Sequence, residues 1–164
     1  MGIADSNRRG QRKSPKPRAK SLRNGKTSSK EKPLVFTIQS DFAAVRDVQK
    51  QILDNVASRG FNEDTTWAIK LALEEAIMNA IKHGNKLDPK KKVHIEARVT
   101  PKQAEIMVED EGPGFERCCV PDPTLEENLE KCSGRGILLM EAYMNAVKWD
   151  RGGRRVRMIK KNES

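Results

Sequence analysis

All of the chain's formal charge is carried by its first 32 residues. Of a net +9 over 164 residues, the stretch from Met1 to Lys32 supplies the whole, with eleven Lys and Arg against Asp5 and Glu31. The rest is balanced at twenty-one residues of each sign. Between Asp5 and Lys32 the one large aliphatic side chain is Leu22, too little apolar surface to offset the entropy of ordering the segment. Residues 1–32 therefore read as a disordered basic tail suited to contact with nucleic acid or an anionic surface, and any fold must come from residues 33–164. That length allows one domain with a real core and argues against a multidomain enzyme.

Hydrophobic residues make up 36% and charged residues 34%, the mix of a polar-surfaced domain. No apolar run approaches the roughly 20 residues that cross a bilayer. Met1-Gly2-Ile3-Ala4-Asp5-Ser6 fits the short myristoylation pattern, but an ordinary polar tail fits it equally. Gly25-Lys26-Thr27 echoes the end of a phosphate loop without its first glycine or a preceding strand. Cys118, Cys119 and Cys132 are odd in number, and they lack the C-x-x-C spacing of structural zinc sites. They read as reduced cysteines of a cytoplasmic protein.

Beyond Lys32 the pattern changes. Leu34 to Ile38 is a β-branched and aromatic run behind Pro33, which predicts a strand, at an edge. Ser40 is placed to cap a helix in which Phe42, Val45, Ile52 and Val56 recur at helical spacing until Gly60. A second helix is predicted from near Asn62, with Glu63 and Asp64 at its positive end and Trp67, Leu71, Ile77, Met78 and Ile81 as its apolar face. Val93 to Val99 and Ala104 to Glu109 alternate apolar and polar residues around a turn at Thr100 to Gln103. The stretch from Asp110 to Ser133 reads as a long loop, most simply an active-site lid. A helix over Gly136 to Asn145, with Ile137, Leu138, Met140 and Ala142 as apolar candidates, precedes two strands, Ala146 to Trp149 and Arg154 to Ile159, around a Gly152-Gly153 hairpin turn. The expected fold is α+β, a two-layer sandwich with helices on one face of a mixed, mainly antiparallel sheet.

Three segments carry chemistry. Glu75 and Asn79 lie four apart on one helix face, where a carboxylate can take a proton and an amide oxygen beside it can hold Mg²⁺; the same spacing also describes an ordinary solvated face. Asp110 leaves a buried strand into Glu111-Gly112-Pro113-Gly114. There it could accept a hydrogen bond from an exocyclic amine while the glycines admit a flat base, or it could simply cap a tight turn. Ser133-Gly134-Arg135-Gly136 opens a helix whose N-terminal N–H groups suit phosphate, or is a plain loop glycine pair.

In this order the three segments resemble a known family. Glu74-Glu75-Ala76-Ile77-Met78-Asn79-Ala80-Ile81-Lys82-His83-Gly84 resembles the N box of the histidine-kinase-like ATPase superfamily. Val108 to Phe115 resembles its first glycine box and Gly134 to Ile137 its second. Small size, the N-box His-Gly and the run Gly136 to Asn145 are most similar to the bacterial anti-sigma factor serine kinases of sporulation and stress. The likeness covers about residues 34–160.

What the resemblance implies is ATP held between the helix layer and a lid. Asp110 would meet the adenine amino group, Gly112 and Gly114 would shape the base pocket, and Asn79 would ligate Mg²⁺. Gly134 and Gly136 would face the phosphates. Glu75 would be the general base toward a serine of an anti-anti-sigma partner. The family also acts as a homodimer that sequesters a sigma factor and so regulates transcription. One departure is Cys132, where these kinases often carry Arg; Cys cannot pair with phosphate bidentately, and Lys131 or Arg135 offers charge in a different geometry. The alternative is a noncatalytic ATP-binding partner switch without phosphotransfer.

Overall fold

The computed structural model describes residues 31–114 and 135–163. The basic tail through residue 30 and the segment 115–134 lie outside the described residues, and with them the predicted lid beyond Gly114, the three cysteines and Gly134.

Alternation builds the central layer. In Lys92–Val99 (β2) the buried residues are Val93, Ile95, Ala97 and Val99. In Gln103–Asp110 (β3) they are Ala104, Ile106, Val108 and Asp110. The two strands pair antiparallel with Ile95 opposite Val108 and Val93 opposite Asp110, so both apolar sets share one face. Leu34–Gln39 (β1) pairs with β2 at one edge, as its flanking Pro33 suggests, while Ala146–Asp150 (β4) and Arg155–Lys161 (β5) extend the other side. The order is β1-β2-β3-β5-β4, and all four pairings are antiparallel.

The helices Ala43–Ser58 (α1), Glu63–Asn79 (α2) and Arg135–Tyr143 (α3) cover the apolar face. Val45, Val48, Ile52 and Val56 of α1 and Ile69, Leu73 and Ile77 of α2 join the sheet residues in one core. The opposite sheet face carries Glu96, Arg98, Glu105, Met107, Arg155 and Arg157 around a shallow groove. No helix among the described residues is long and apolar enough to cross a membrane.

Several local expectations are corrected. Ser40 does not cap α1; its hydroxyl donates to the Lys91 carbonyl at 3.0 Å, and the Ala43 N–H is met instead by Asp41 Oδ1. Phe42 is exposed, with the Lys82 ammonium 5.9 Å from its ring centre. On α2, Trp67 is exposed and Leu71 and Met78 are half-buried, because the sheet-facing stripe is Ala68, Ile69, Ala72, Leu73, Ala76 and Ile77. Trp67 instead meets Tyr143 of α3 edge-on, ring centres 5.5 Å apart. Leu138 and Ala142 of α3 are exposed, and Gly136 and Met140 are its buried residues. The last β4–β5 pair is Asp150 with Arg155, so the hairpin closes through four residues rather than two, with positive φ at Arg151, Gly152 and Gly153.

Near its end, β3 places Glu109 on the polar face. Burial alone would raise the Glu109 carboxyl, but the Arg155 guanidinium, donating to Oε2 from both Nε and an Nη, and Arg151 on Oε1 hold it below the ordinary carboxylate value. A lowered folded-state value contributes stability that is full above the unfolded value and is lost as pH falls through the folded one. The melting temperature should therefore drop across the acid range, and Arg155→Met should flatten that part of the curve; a wild-type profile unchanged by Arg155→Met would contradict the pairing.

Candidate functional site

The site forms where α2 ends. Asn62 starts the helix by accepting the Thr65 N–H at 2.7 Å, and seventeen residues later the α-helix passes into a π-helix over Ala80–Gly84. The Asn85 N–H closes onto the Ala80 carbonyl at 2.8 Å and the Leu87 N–H onto the Ile81 carbonyl at 2.9 Å. The extra residue in that turn rotates the downstream backbone by about 100° relative to a continuing α-helix. Gly84 is thereby delivered against the end of β3.

Contact there is close enough to exclude side chains. A Cβ on Gly84 would lie 2.2 Å from the Asp110 carboxyl carbon, and one on Gly112 would lie 1.8 Å from the Gly84 carbonyl oxygen. Asp110 is 7% exposed, and its Oδ1 accepts the Gly112 N–H at 2.8 Å. Burial raises the Asp110 carboxyl above its ordinary value, against the lowering effect of that N–H and of Arg154 and Lys91. A buried carboxylate whose donors leave acceptor capacity over is poised to take a hydrogen bond from an incoming ligand.

A second close approach joins the helices. Glu75 and Asn79, both half-buried on α2, face the first turn of α3. A Cβ on Gly136 would sit 2.3 Å from Glu75 Oε2 and 3.4 Å from Asn79 Nδ2. Of the residues singled out from sequence, Glu75, Asn79 and Gly136 thus meet on the last turn of α2, and Asp110 and Gly112 meet just beyond it, against Gly84 of the π turn. Arg135, exposed, begins α3. Gly114, at φ +84°, packs elsewhere: its Cβ position is 2.1 Å from the Gly152 carbonyl oxygen of the β4–β5 turn.

The arrangement suits a magnesium nucleotide. Among the described residues no three His, Cys, Asp or Glu side chains converge on a metal position, so these residues offer no cage of their own. The half-buried Asn79 amide, beside the closely packed Gly136, is the kind of neutral oxygen ligand that fits instead the sparse ligation of Mg²⁺, which keeps its waters and shares phosphate oxygens.

Sequence reasoning did not single out Gly84 as the partner of Asp110 and Gly112, nor Asn85, which is fully buried. Its amide donates to Ser40 Oγ and to the Lys92 carbonyl, each at 2.9 Å, and accepts the Glu111 N–H at 2.8 Å. The available signal was an amide directly after a helix-ending His-Gly, a place where side chains satisfy freed backbone groups.

Comparison with known proteins agrees with the fold. The histidine kinase-like ATPase domain family matches residues 38–160. The chain is 40% identical over 82 residues to an anti-sigma F factor of Clostridium perfringens, covering 48% of this chain and 58% of that protein. It is 33% identical over 105 residues to the serine-protein kinase RsbW of Bacillus subtilis, covering 58% and 64%. For RsbW of Oceanobacillus iheyensis the figures are 32% over 108 residues, covering 62% and 68%. The chain thus spans about three-fifths of the length of the first of these relatives. A solved structure of the RsbU and RsbW domains of a Mycobacterium tuberculosis protein has the same fold, with a TM-score of 0.54 at 18% identity, covering 80% of this chain and 32% of that one. A five-stranded antiparallel sheet under helices, three motifs in the family's order and a match over residues 38–160 lead to one assignment: the chain belongs to the histidine kinase-like ATPase domain family.

Proposed function

We propose that this chain is an ATP-dependent protein serine kinase that doubles as an anti-sigma factor, phosphorylating a serine of an anti-anti-sigma partner in the cytoplasm. The observation that carries it is a pair of side-chain-free contacts at the C-terminal end of α2: Gly136 against Glu75 and Asn79 on its last turn, and, just past the π turn, Gly84 and Gly112 around the Asp110 carboxylate. A base amine on Asp110 sets the phosphates toward the Gly136 cluster. There the start of α3, with Gly136 and Arg135, offers N–H groups and charge to the phosphates; the role of Gly134, outside the described residues, is carried over from the family resemblance alone. Glu75 accepts the proton of the partner's serine hydroxyl while that oxygen bonds the γ-phosphorus and the bond to the bridging oxygen breaks, leaving ADP. Asn79 would hold Mg²⁺, which neutralises phosphate charge when bound.

The relatives' names, anti-sigma F factor and serine-protein kinase, support the sigma factor and a protein substrate as partners. Homodimerisation and a weak contact of the basic tail with nucleic acid or an anionic surface belong to the same reading. Cys132, standing where these kinases often have Arg, favours a second reading in which nucleotide binding alone switches partners.

Nucleotide recognition is tested at Asp110. An amide has one acceptor oxygen for two donors, the Gly112 N–H and the base amine, so Asp110→Asn should weaken ATP by about 1.5–3 kcal/mol; unchanged affinity by calorimetry would displace the base site. The carboxylate must also be ionised for both of its oxygens to accept and for the bonds to be charge-assisted. Because burial raises it, ATP affinity should be full above that raised value and fall as pH drops through it, at higher pH than an ordinary aspartate would give. Asn79→Ala should weaken ATP chiefly when magnesium is present, and equal losses with and without the metal would contradict its role.

A further inference from the structure

We propose that Asn85 is a positioning residue that sets purine selectivity: it locks the backbone of Glu111 so that Asp110 meets a 6-amino purine squarely and rejects a 6-oxo purine. The proposal rests on the nucleotide reading of the site.

The orientation of the Asn85 amide is unambiguous. The Lys92 carbonyl can only accept, so the group facing it at 2.9 Å is the NH₂. The Glu111 N–H can only donate, so the atom facing it at 2.8 Å is the oxygen. The second NH₂ hydrogen goes to Ser40 Oγ at 2.9 Å, and that hydroxyl passes its own proton to the Lys91 carbonyl at 3.0 Å. At 0% exposure the side chain competes with no water, and each of its polar atoms is used. Its own N–H, bonded to Ala80, ties the network to the π turn that brings Gly84 to Asp110.

Glu111 sits between Asp110 and Gly112, the two residues whose mutual hydrogen bond shapes the base carboxylate. Its side chain is held as well: Oε2 accepts the Lys92 N–H at 2.8 Å, and Oε1 lies 3.6 Å from His94 Nε2. With Asn85 on the N–H and the Lys92 N–H on the carboxylate, Glu111 is held at two points, which restrains the backbone that carries the neighbouring Asp110 oxygens. A fixed carboxylate distinguishes an amine donor from a carbonyl acceptor sharply, because the wrong base leaves two acceptors facing each other in a buried place. A carboxylate free to turn away loses that distinction.

The test uses the full chain with ATP and GTP in calorimetry, and amide hydrogen exchange of Glu111 read by NMR. The wild type should favour ATP by roughly a hundredfold or more. Asn85→Ala should weaken ATP at least about tenfold while changing GTP by less than about threefold, collapsing the ratio, and should speed Glu111 exchange by an order of magnitude or more. Ser40→Ala, which removes one of the amide's two acceptors, should shift both readouts the same way by a smaller factor, and it serves if Asn85→Ala does not fold. A role in stability alone would weaken both nucleotides equally; an ATP-over-GTP ratio kept in the variants, or unchanged Glu111 exchange, overturns the assignment of Asn85. Wild-type protein that takes up neither nucleotide overturns instead the reading of the site as a nucleotide pocket.

Discussion

Gly112→Ala is expected to reduce nucleotide affinity at least about a hundredfold, whereas Gly60→Ala leaves it at the wild-type level. At Gly112 the new methyl would fall 1.8 Å from the Gly84 carbonyl oxygen, 2.5 Å from its carbon and 2.8 Å from Asp110 Oδ1. The first two are backbone atoms with no rotamer to escape into, so the exit of β3 must separate from the π turn. Overpacking of this kind costs about 1–3 kcal/mol. The separation also loosens the Gly112 N–H on the Asp110 carboxylate, a charge-assisted bond of about 1.5–3 kcal/mol. Both losses fall on the proposed base site. Gly60 is the matched control: it has φ +79° but nothing within 4 Å of its Cβ position, so alanine there meets backbone strain alone, about 1 kcal/mol of stability. Calorimetric titration and a melting curve on each variant check the pair, and Gly112→Ala binding within threefold of wild type would mean that the base does not lie at this contact. Gly84→Ala should be milder on the fold, because its clash is with the Asp110 side chain, which can swing aside, though at the expense of the same carboxylate.

That contact also marks the limit of what sequence reveals here. In β2 and β3 the alternation specifies strand and face together, since a slip of one residue would drive Glu96 and Arg98 into the core. On α1, Val45, Ile52 and Val56 are buried as their spacing predicts. On α2 the same logic succeeds for Ile77 and fails for Trp67, Leu71 and Met78, because this helix serves two neighbours. In the buried stripe the small residues Ala68, Ala72 and Ala76 alternate with Ile69, Leu73 and Ile77, while Trp67 turns to Tyr143 of α3; ranking by size and hydrophobicity passes over the alanines that mark the buried side. Glu75 and Asn79 are legible as a pair because their relation is local, one helical turn. Gly84 and Asn85 are not, because their roles come from a π turn that no residue pattern announces and from partners 26 residues away, as in the bond between Asn85 and Glu111.

Glu75→Gln is expected to reduce phosphate transfer to a partner serine by about 10²–10⁴, the usual contribution of a positioned general base, while ATP binds as tightly as before or more so. The substitution separates chemistry from packing. Gly136 approaches so closely that its Cβ position lies 2.3 Å from Glu75 Oε2 and 3.3 Å from the carboxyl carbon, so the contact between α2 and α3 depends on the shape of this group, which glutamine keeps. What glutamine lacks is the capacity to take the hydroxyl proton. Removing a negative charge beside the polyphosphate also relieves repulsion, which gives the sign of the binding change. Glu75→Ala would confuse the two effects by opening space beneath Gly136. Single-turnover transfer from γ-labelled ATP to a candidate anti-anti-sigma protein, paired with calorimetry, reads both quantities. Transfer by the glutamine variant within threefold of wild type would remove Glu75 from the reaction. No transfer by the wild type to any such partner, with ATP still bound, would favour the noncatalytic switch that Cys132 suggests.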